Sequence, residues 1–482
     1  MSEGRPPLPG SGPPAADESG GGQRSLVAST MDGYPPAPLE AGGEICRGHR
    51  LAGLDPRSLA REFGTPLYVY DLDAITARVE ALRAALPRGF DLAYAVKANP
   101  ALAVIAHLMG LGLGADVASA GELIAVLRAG GRPDRVVMTG PGKGEEELAL
   151  AVAAGVRAIT VESPGELERL HQLASQLGRR QGILLRLAVG DLRPEGGTVG
   201  VTSAGTPSAG VKFGMDEDDL IRSARRALGS GYLDLLGLHA FGASNVLDAR
   251  RLAEHVAWTV DRAAELSRRV GVALRLVDVG GGLGIPYRDG APGLDLADLG
   301  RRLRTLAERW SRDPALESLT VLLEPGRFLT GPAGAYLCRV RDRKVVRGEA
   351  VLVLDGGIHH FLRPALVGQE HRIRLFVDRD DGSPNPPSQA SSGSVAVVGP
   401  LCTGLDTLAA AAPIPEARVG DLVAFLDAGA YGYSESMPFF LSHPVPAEVA
   451  VRGGEARLIR PRLDPRRWLD DQRIPSWGTA HR

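Results

Sequence analysis

Between residues 90 and 326, short apolar runs alternate with longer stretches whose apolar residues recur at three- and four-residue spacing. The short runs are LAYAV, GADVAS, RVVMTG, AITVES, ILLRLAV, LLGLHAF, LRLVDVGGG and TVLLEPG, eight in all, and each reads as a strand. Stretches such as GELIAVLRAG, EEELALAVAAG and LAEHVAWTVDRAAELSRRV read as the helices between them. Eight strand and helix units in one run predict an α/β fold, a (β/α)8 barrel of the TIM type. After residue 335 the pattern changes. AYLCRVRDRKVV, AVLVLDGG, HRIRLFVD, VAVVGP, DLVAFLDAGAY and PAEVAVRGG read as strands without intervening helices, a second, all-β domain. TPLYVYD, at 65–71, precedes the barrel and is expected to join that sheet.

These patterns divide the 482 residues into a Pro/Gly/Ser-rich extension at 1–44, a segment at 45–74 that joins the β domain, a barrel at 75–334, a β domain at 335–460 and a polar tail at 461–482. The extension lacks apolar periodicity and is expected to be disordered; Met31 within it is a second candidate start. DGSPNPPSQASSG, at 381–393, reads as a surface loop.

Charge and cysteine usage narrow the function classes. A net charge of -2 gives no field to attract nucleic acid or an anionic membrane. No apolar stretch approaches a bilayer span and no signal-peptide core is present, so a cytoplasmic protein is expected. Cys46, Cys338 and Cys402 are widely spaced and form no CxxC, which points away from a disulfide framework or a structural zinc site.

Lysine usage singles out one position. Lys and Arg total 55, yet only Lys97, Lys143, Lys212 and Lys344 are lysines. Lys97 directly follows the apolar run DLAYAV, where lysine is least expected. Two readings stand on position alone: an amine able to lose its proton and attack a carbonyl, or a lysine snorkelling from a strand end.

In a barrel the site is built where strands end at their C-terminal face, and phosphate is commonly held by the loops after strands seven and eight. That rule collects Lys97 after strand one, Glu162 at the end of strand four, Arg186 in strand five, and His239 and Phe241 at strand six. After strand seven comes Gly280-Gly281-Gly282-Leu283-Gly284, and after strand eight Glu324-Pro325-Gly326-Arg327. A glycine run lets backbone N–H groups approach phosphate oxygens, and an arginine beside it adds a forked charged donor. A nucleophilic lysine together with a phosphate cradle suggests a ligand carrying both an aldehyde and a phosphate. Pyridoxal 5'-phosphate (PLP) fits, with Lys97 as Schiff base and Glu324 keeping the ring nitrogen protonated.

The ordered motifs AYAVKANP, GADVASAGEL, GPGKGEEEL, VKFGM, GLHAF, DVGGGLGIPY, EPGRF, RPAL, GPLCTGLD and GDLVAFLDAGAYGYSESM span roughly residues 50 to 455. They resemble the fold-type III PLP-dependent decarboxylases, the diaminopimelate and ornithine decarboxylase family. The resemblance implies cofactor contacts from Lys97, Asp116, Arg186, His239, Phe241, Ser244, Gly280, Gly281, Gly282, Glu324, Gly326, Arg327 and Tyr431. Catalysis would rest on Lys97, Glu324 and Cys402, with Cys402 returning a proton after CO2 leaves. It further implies a homodimer with shared active sites, Cys402 arriving from the second subunit, and substrate contacts from Arg363, Thr403 and Tyr431.

Two departures bear on the substrate. The family's HxHxGSQ reads HAFGASN here, so Phe241 stands where a histidine is usual. Thr403 follows the cysteine where diaminopimelate and ornithine enzymes carry a carboxylate for the distal amine. With GGIHH and FLSHP, these features resemble a branch acting on carrier-linked or natural-product amino acids. The substrate is therefore expected to be an amino acid, either free, with diaminopimelate the main candidate, or tethered to a carrier protein. DLRPEGGTVGVTSAGTPSAG, at 191–210, is expected to act as a mobile lid. A racemase on the same barrel and a non-catalytic PLP-binding regulator are the alternatives of other classes.

Overall fold

The computed structural model describes residues 45–189, 212–316, 318–377 and 393–475. The expected disordered extension with Met31, the expected lid at 191–210 and all but the last residue of the 381–393 loop lie outside them.

Eight parallel strands close a barrel in chain order: Phe90–Ala95, Gly114–Val117, Val136–Met138, Ala158–Val161, Gln181–Arg186, Leu233–His239, Leu276–Asp278 and Thr320–Leu323. The last strand pairs back onto the first through Val321 and Phe90. These are the eight runs that the apolar pattern marked. Short polar residues start the helices around them: the side chains of Asp71, Ser119, Ser163, Asp216, Asp248 and Asp295 each accept a backbone N–H of the first helical turn.

Strand alternation then sorts the barrel interior into layers. Ala93, Val137, Ala158, Leu184, Leu276 and Leu322 pack together as an apolar plug. Each fully buried leucine there contributes about 1.5–3 kcal/mol over exposure. Two residues further along the same strands, the side of the wall that faces inward carries Ala95, Thr139, Thr160, Arg186, Asp278 and Glu324. Hence the plug is apolar and the layer above it, toward the strand C-termini, is polar.

The β-rich part is a mixed sheet in the order Thr407–Ala412, Val395–Val398, Glu349–Leu354, Gly334–Val346, Leu67–Asp71, Ala447–Arg452, Glu455–Arg460. Ile373–Phe376 and Leu422–Leu426 extend from Gly334–Val346. TPLYVYD supplies a central strand, antiparallel to Gly334–Leu337 and parallel to Ala447–Val451. Among the described residues of this sheet, two strands escaped the sequence pattern, Thr407–Ala412 and Glu455–Arg460, and a short helix, Arg363–Val367, interrupts the expected run of strands. Of the polar tail, Arg462 is anchored by a 2.8 Å bond to the Pro66 carbonyl. Among the described residues, no helix is long and apolar enough to cross a membrane.

Candidate active site

Lys97 sits in a single 3-10 turn, Val96–Ala98, at the end of the first barrel strand. Val96 and Ala98 are buried in the wall, while 45% of the Lys97 side chain remains accessible at the barrel mouth. Its Nζ lies 2.6 Å from Asp116 Oδ2, and Asp116 Oδ1 accepts the Thr139 hydroxyl at 2.7 Å. Desolvation disfavours the ammonium, but the carboxylates of Asp116 and then Glu324 outweigh it and raise the Lys97 pKa. Lys143 is a useful contrast. It is buried, donates to the Thr160 carbonyl at 2.8 Å and pairs with Glu166 at 2.8 Å, so its charge is fully employed in the wall.

Across the mouth stand three buried titratable groups, His239, Asp278 and Glu324, with one polar atom of each within 4.8 Å of the others. His239 Nδ1, Asp278 Oδ2 and Glu324 Oε1 are buried without a hydrogen-bond partner. Burial, then the charges of Asp116 and Asp278, lift the Glu324 pKa well above the carboxylate range. Asp278 is pushed up to about 7 by burial, although its carboxylate accepts the Gly280 N–H at 2.9 Å. Two adjacent carboxyls in a dry wall cannot both ionise, so the pair retains a proton. His239 is held neutral by burial and then by the charge of Arg186. Arg186 itself is paired with Glu162 at 2.7 Å, and Glu162 Oε2 accepts the Gly214 N–H at 3.1 Å.

The loop after the seventh strand is built for close approach. Gly280 and Gly282 have φ of +67° and +107°, and a Cβ on Gly281 would fall 2.6 Å from the Glu324 carbonyl oxygen. A Cβ on Gly280 would fall 2.8 Å from the Phe241 ring, which places that aromatic against the glycine loop. The Val246 N–H donates to the Gly282 carbonyl at 2.8 Å and Asn245 Oδ1 accepts the Ile285 N–H at 3.0 Å, stapling the loop to the segment that carries Ser244. Arg327, buried, donates to Ser244 Oγ at 3.3 Å and to the Tyr287 hydroxyl at 2.6 Å. Its guanidinium lies 4.7 Å from the Tyr431 ring centre. Gly326 is crowded by Ala95 and Ala98, which keeps the Glu324–Arg327 turn close to Lys97.

Tyr431 ties the β-rich part to this mouth: its N–H donates to the Ala98 carbonyl at 2.8 Å, with φ of +54°. On the same ring, at 4.7 Å, lies the guanidinium of buried Arg363, whose Nη1 donates to both Glu435 oxygens at 3.0 and 2.8 Å. Cys402 and Thr403 are not drawn into this cluster. They occupy a loop whose Cys402 is exposed and whose base is fixed by Asp406, which accepts the N–H groups of Ile358 and Leu401 at 2.8 Å each.

An orphaned buried carboxyl, a lysine at the mouth and an anion cradle of glycine, serine and arginine together match the donor set that PLP requires. Asp278, Tyr287 and Glu435 were missed from the sequence. Asp278 carried a usable signal, because alternation from Leu276 points it inward.

A match to the pyridoxal binding domain of the pyridoxal-dependent decarboxylases covers residues 72–331. The chain is 31% identical to the L-glutamyl-[BtrI acyl-carrier protein] decarboxylase of Niallia circulans over 84% of this chain and 92% of that one. It is 34% identical to the diaminopimelate decarboxylase of Aquifex aeolicus over 86% of this chain and 92% of the relative. The crystal structure of Helicobacter pylori diaminopimelate decarboxylase complexed with L-lysine superimposes with a TM-score of 0.74 at 28% identity, covering 86% of this chain and 98% of the other. Sequence, barrel and donor set agree: the chain belongs to the fold-type III PLP-dependent decarboxylases, enzymes that use pyridoxal phosphate to act on amino acids.

Proposed function

We propose that the protein removes the α-carboxylate of an amino acid as CO2, with Lys97, Glu324 and Cys402 as its catalytic residues. PLP, when bound, supplies an aldehyde for Lys97 and a ring that withdraws the electron pair left by the departing CO2. Asp116 orients the Lys97 amine at the barrel mouth, and Thr139 fixes the other Asp116 oxygen. Glu324, sharing a proton with Asp278, offers a carboxyl to the ring nitrogen. Ser244, Arg327 and the N–H groups of Gly281 and Gly282 receive the phosphate, and the Phe241 ring flanks that loop. The observation that carries the reading is the partnerless Glu324 oxygen in a wall shared with Lys97. A carboxyl there deepens the electron sink as decarboxylation demands.

Cys402 is the proposed proton donor to the α-carbon, supplied by a second copy of the chain. Its exposed position and the exposed apolar side chains of Leu405, Met437, Phe440 and Leu441 support a homodimer with shared sites. Diaminopimelate is the first substrate to test, because two similar proteins are named for it. A carrier-tethered amino acid is the second reading. It is favoured by Thr403, since Gly399 to Leu405 offers no carboxylate for a distal amine, and by the name of the Niallia circulans relative.

The test is CO2 release by the purified protein with added PLP, from meso-diaminopimelate and from glutamyl thioesters. Loss of chirality without CO2 would replace the reading by a racemase. Absence of both would replace it by a PLP-binding regulator.

A further inference from the structure

On the Tyr431 ring the Arg363 guanidinium is already paired with a carboxylate, and its partner is held in place. Ser436, next to Glu435, accepts the Leu362 N–H at 3.0 Å and donates to the Gly432 carbonyl at 2.8 Å. The two backbone segments that carry Arg363 and Glu435 are thereby pinned together, so the pair is preorganised. Arg363 is buried while the Glu435 side chain is 31% accessible, so the carboxylate is the solvent-reached half of the pair. Tyr431 places this pair one side chain from Arg327 and, through its bond to Ala98, one residue from Lys97.

An unpaired arginine in that position would be the natural seat of a carboxylate at the far end of an amino-acid substrate. Here the seat is filled. A second carboxylate would meet the charge of Glu435, and like charges placed together at a partly buried site are strongly disfavoured. Arg363 nevertheless keeps its Nε–H buried and without a partner. A buried donor seeks an acceptor, and an uncharged carbonyl is one that brings no second negative charge beside Glu435.

We infer that Glu435 is a specificity residue that closes Arg363 to free carboxylates and selects α-amino acids whose far end is an uncharged carbonyl, an amide, ester or thioester. The inference rests on the amino-acid decarboxylase reading for the orientation of the substrate, and it deepens that reading by naming the substrate's distal group.

The test is binding, measured by calorimetric titration of the PLP-loaded protein and by the change in cofactor absorbance. The probes are aspartate, glutamate and 2-aminoadipate, each compared with its ω-methyl ester. In the wild type the ester of the best-fitting length should bind at least about tenfold more tightly than its acid. Glu435→Gln should shrink that ratio by a similar factor, mainly by gaining the acid, whereas Glu435→Asp, which keeps the charge, should preserve it. Equal or tighter binding of the acids by the wild type overturns the inference, without need of any variant. An unchanged ratio in Glu435→Gln overturns it as well, and so does failure of every probe to bind. CO2 recorded in the same samples separates the two claims. Ester preference without CO2 supports the role of Glu435 while removing the decarboxylase reading, and CO2 with no ester preference removes the role of Glu435 alone.

Discussion

Asp406 tests how the Cys402 loop is held. Its carboxylate is buried and accepts two backbone N–H groups, Ile358 from the Gly356–Phe361 segment and Leu401 beside Cys402. A Cβ on Gly357 or Gly399 would lie 2.3 Å from Asp406 oxygens, so the carboxylate is packed directly against both glycines. Hydrogen bonds to a charged acceptor contribute about 1.5–3 kcal/mol each, giving roughly 3–6 kcal/mol for the two. Burial, the largest influence on Asp406, lifts its pKa above the ordinary carboxylate value and takes back part of that gain. A net loss of about 3 kcal/mol is therefore expected for Asp406→Ala. Asp406→Asn keeps one acceptor but sets its NH2 against the second N–H, so it should lose at least half as much. Urea unfolding reads the global loss, and amide hydrogen exchange reads the local one. Three kcal/mol at Leu401 and Ile358 corresponds to exchange faster by about a hundredfold. Unchanged exchange at both amides in Asp406→Ala would show that the carboxylate does not organise the loop.

Four other outcomes are expected. Lys97→Ala should bind PLP through the phosphate cradle yet lack the absorbance of a lysine-bound cofactor, as a visible spectrum will show. Mixing Lys97→Ala with Cys402→Ala should restore about a quarter of wild-type CO2 release, because random reassortment makes half the dimers hybrids with one complete site each; no restoration would mean that Cys402 acts within its own protomer. His359 is fully buried with neither ring nitrogen partnered, and burial followed by the charge of His443 lowers its pKa to about 4. A depressed histidine stabilises above its unfolded pKa, and up to about 3 kcal/mol is lost as pH falls from about 6.5 toward 4, so His359→Gln should flatten the stability profile in that window. Asp278 has the opposite sign: raised to about 7, its contribution is complete below the unfolded value of about 4 and is lost as pH rises from there to about 7, so Asp278→Asn should remove part of the decline of the cofactor-free protein in that window.

The barrel was legible because its two periods are both strong. Strands such as ILLRLAV are apolar on both faces, helices such as LAEHVAWTVDRAAELSRRV are not, and the alternation between them admits few topologies. The β-rich part was legible only where strands are buried. Thr407–Ala412 is a run of alanines with low strand propensity, and it forms because Val395–Val398 offers it an edge. Glu455–Arg460 is largely exposed and reads as polar; its pairing with Ala447–Arg452 is what makes it a strand. In both cases the determining partner is distant in sequence, so no local pattern could announce it.

The same reasoning separates what was legible in the site from what was not. Lys97, the glycine run and Glu324 each follow a strand, so the rule that barrel sites form at strand C-termini collects them without knowledge of any contact. Their protonation is another matter. Asp278 becomes half of a proton-sharing pair only because its strand lies beside Thr320–Leu323 in a register that sets Asp278 opposite Leu322, with Glu324 at the next inward position. That register is fixed by the apolar plug below, where Leu276 and Leu322 pack together. A one-residue slip would turn Asp278 outward and leave Glu324 as a lone buried carboxyl with no partner for its proton. The acid pair at the mouth is thus a consequence of hydrophobic packing in the layer beneath it, and a substitution such as Leu322→Ala should disturb the Glu324 proton as well as the stability of the barrel.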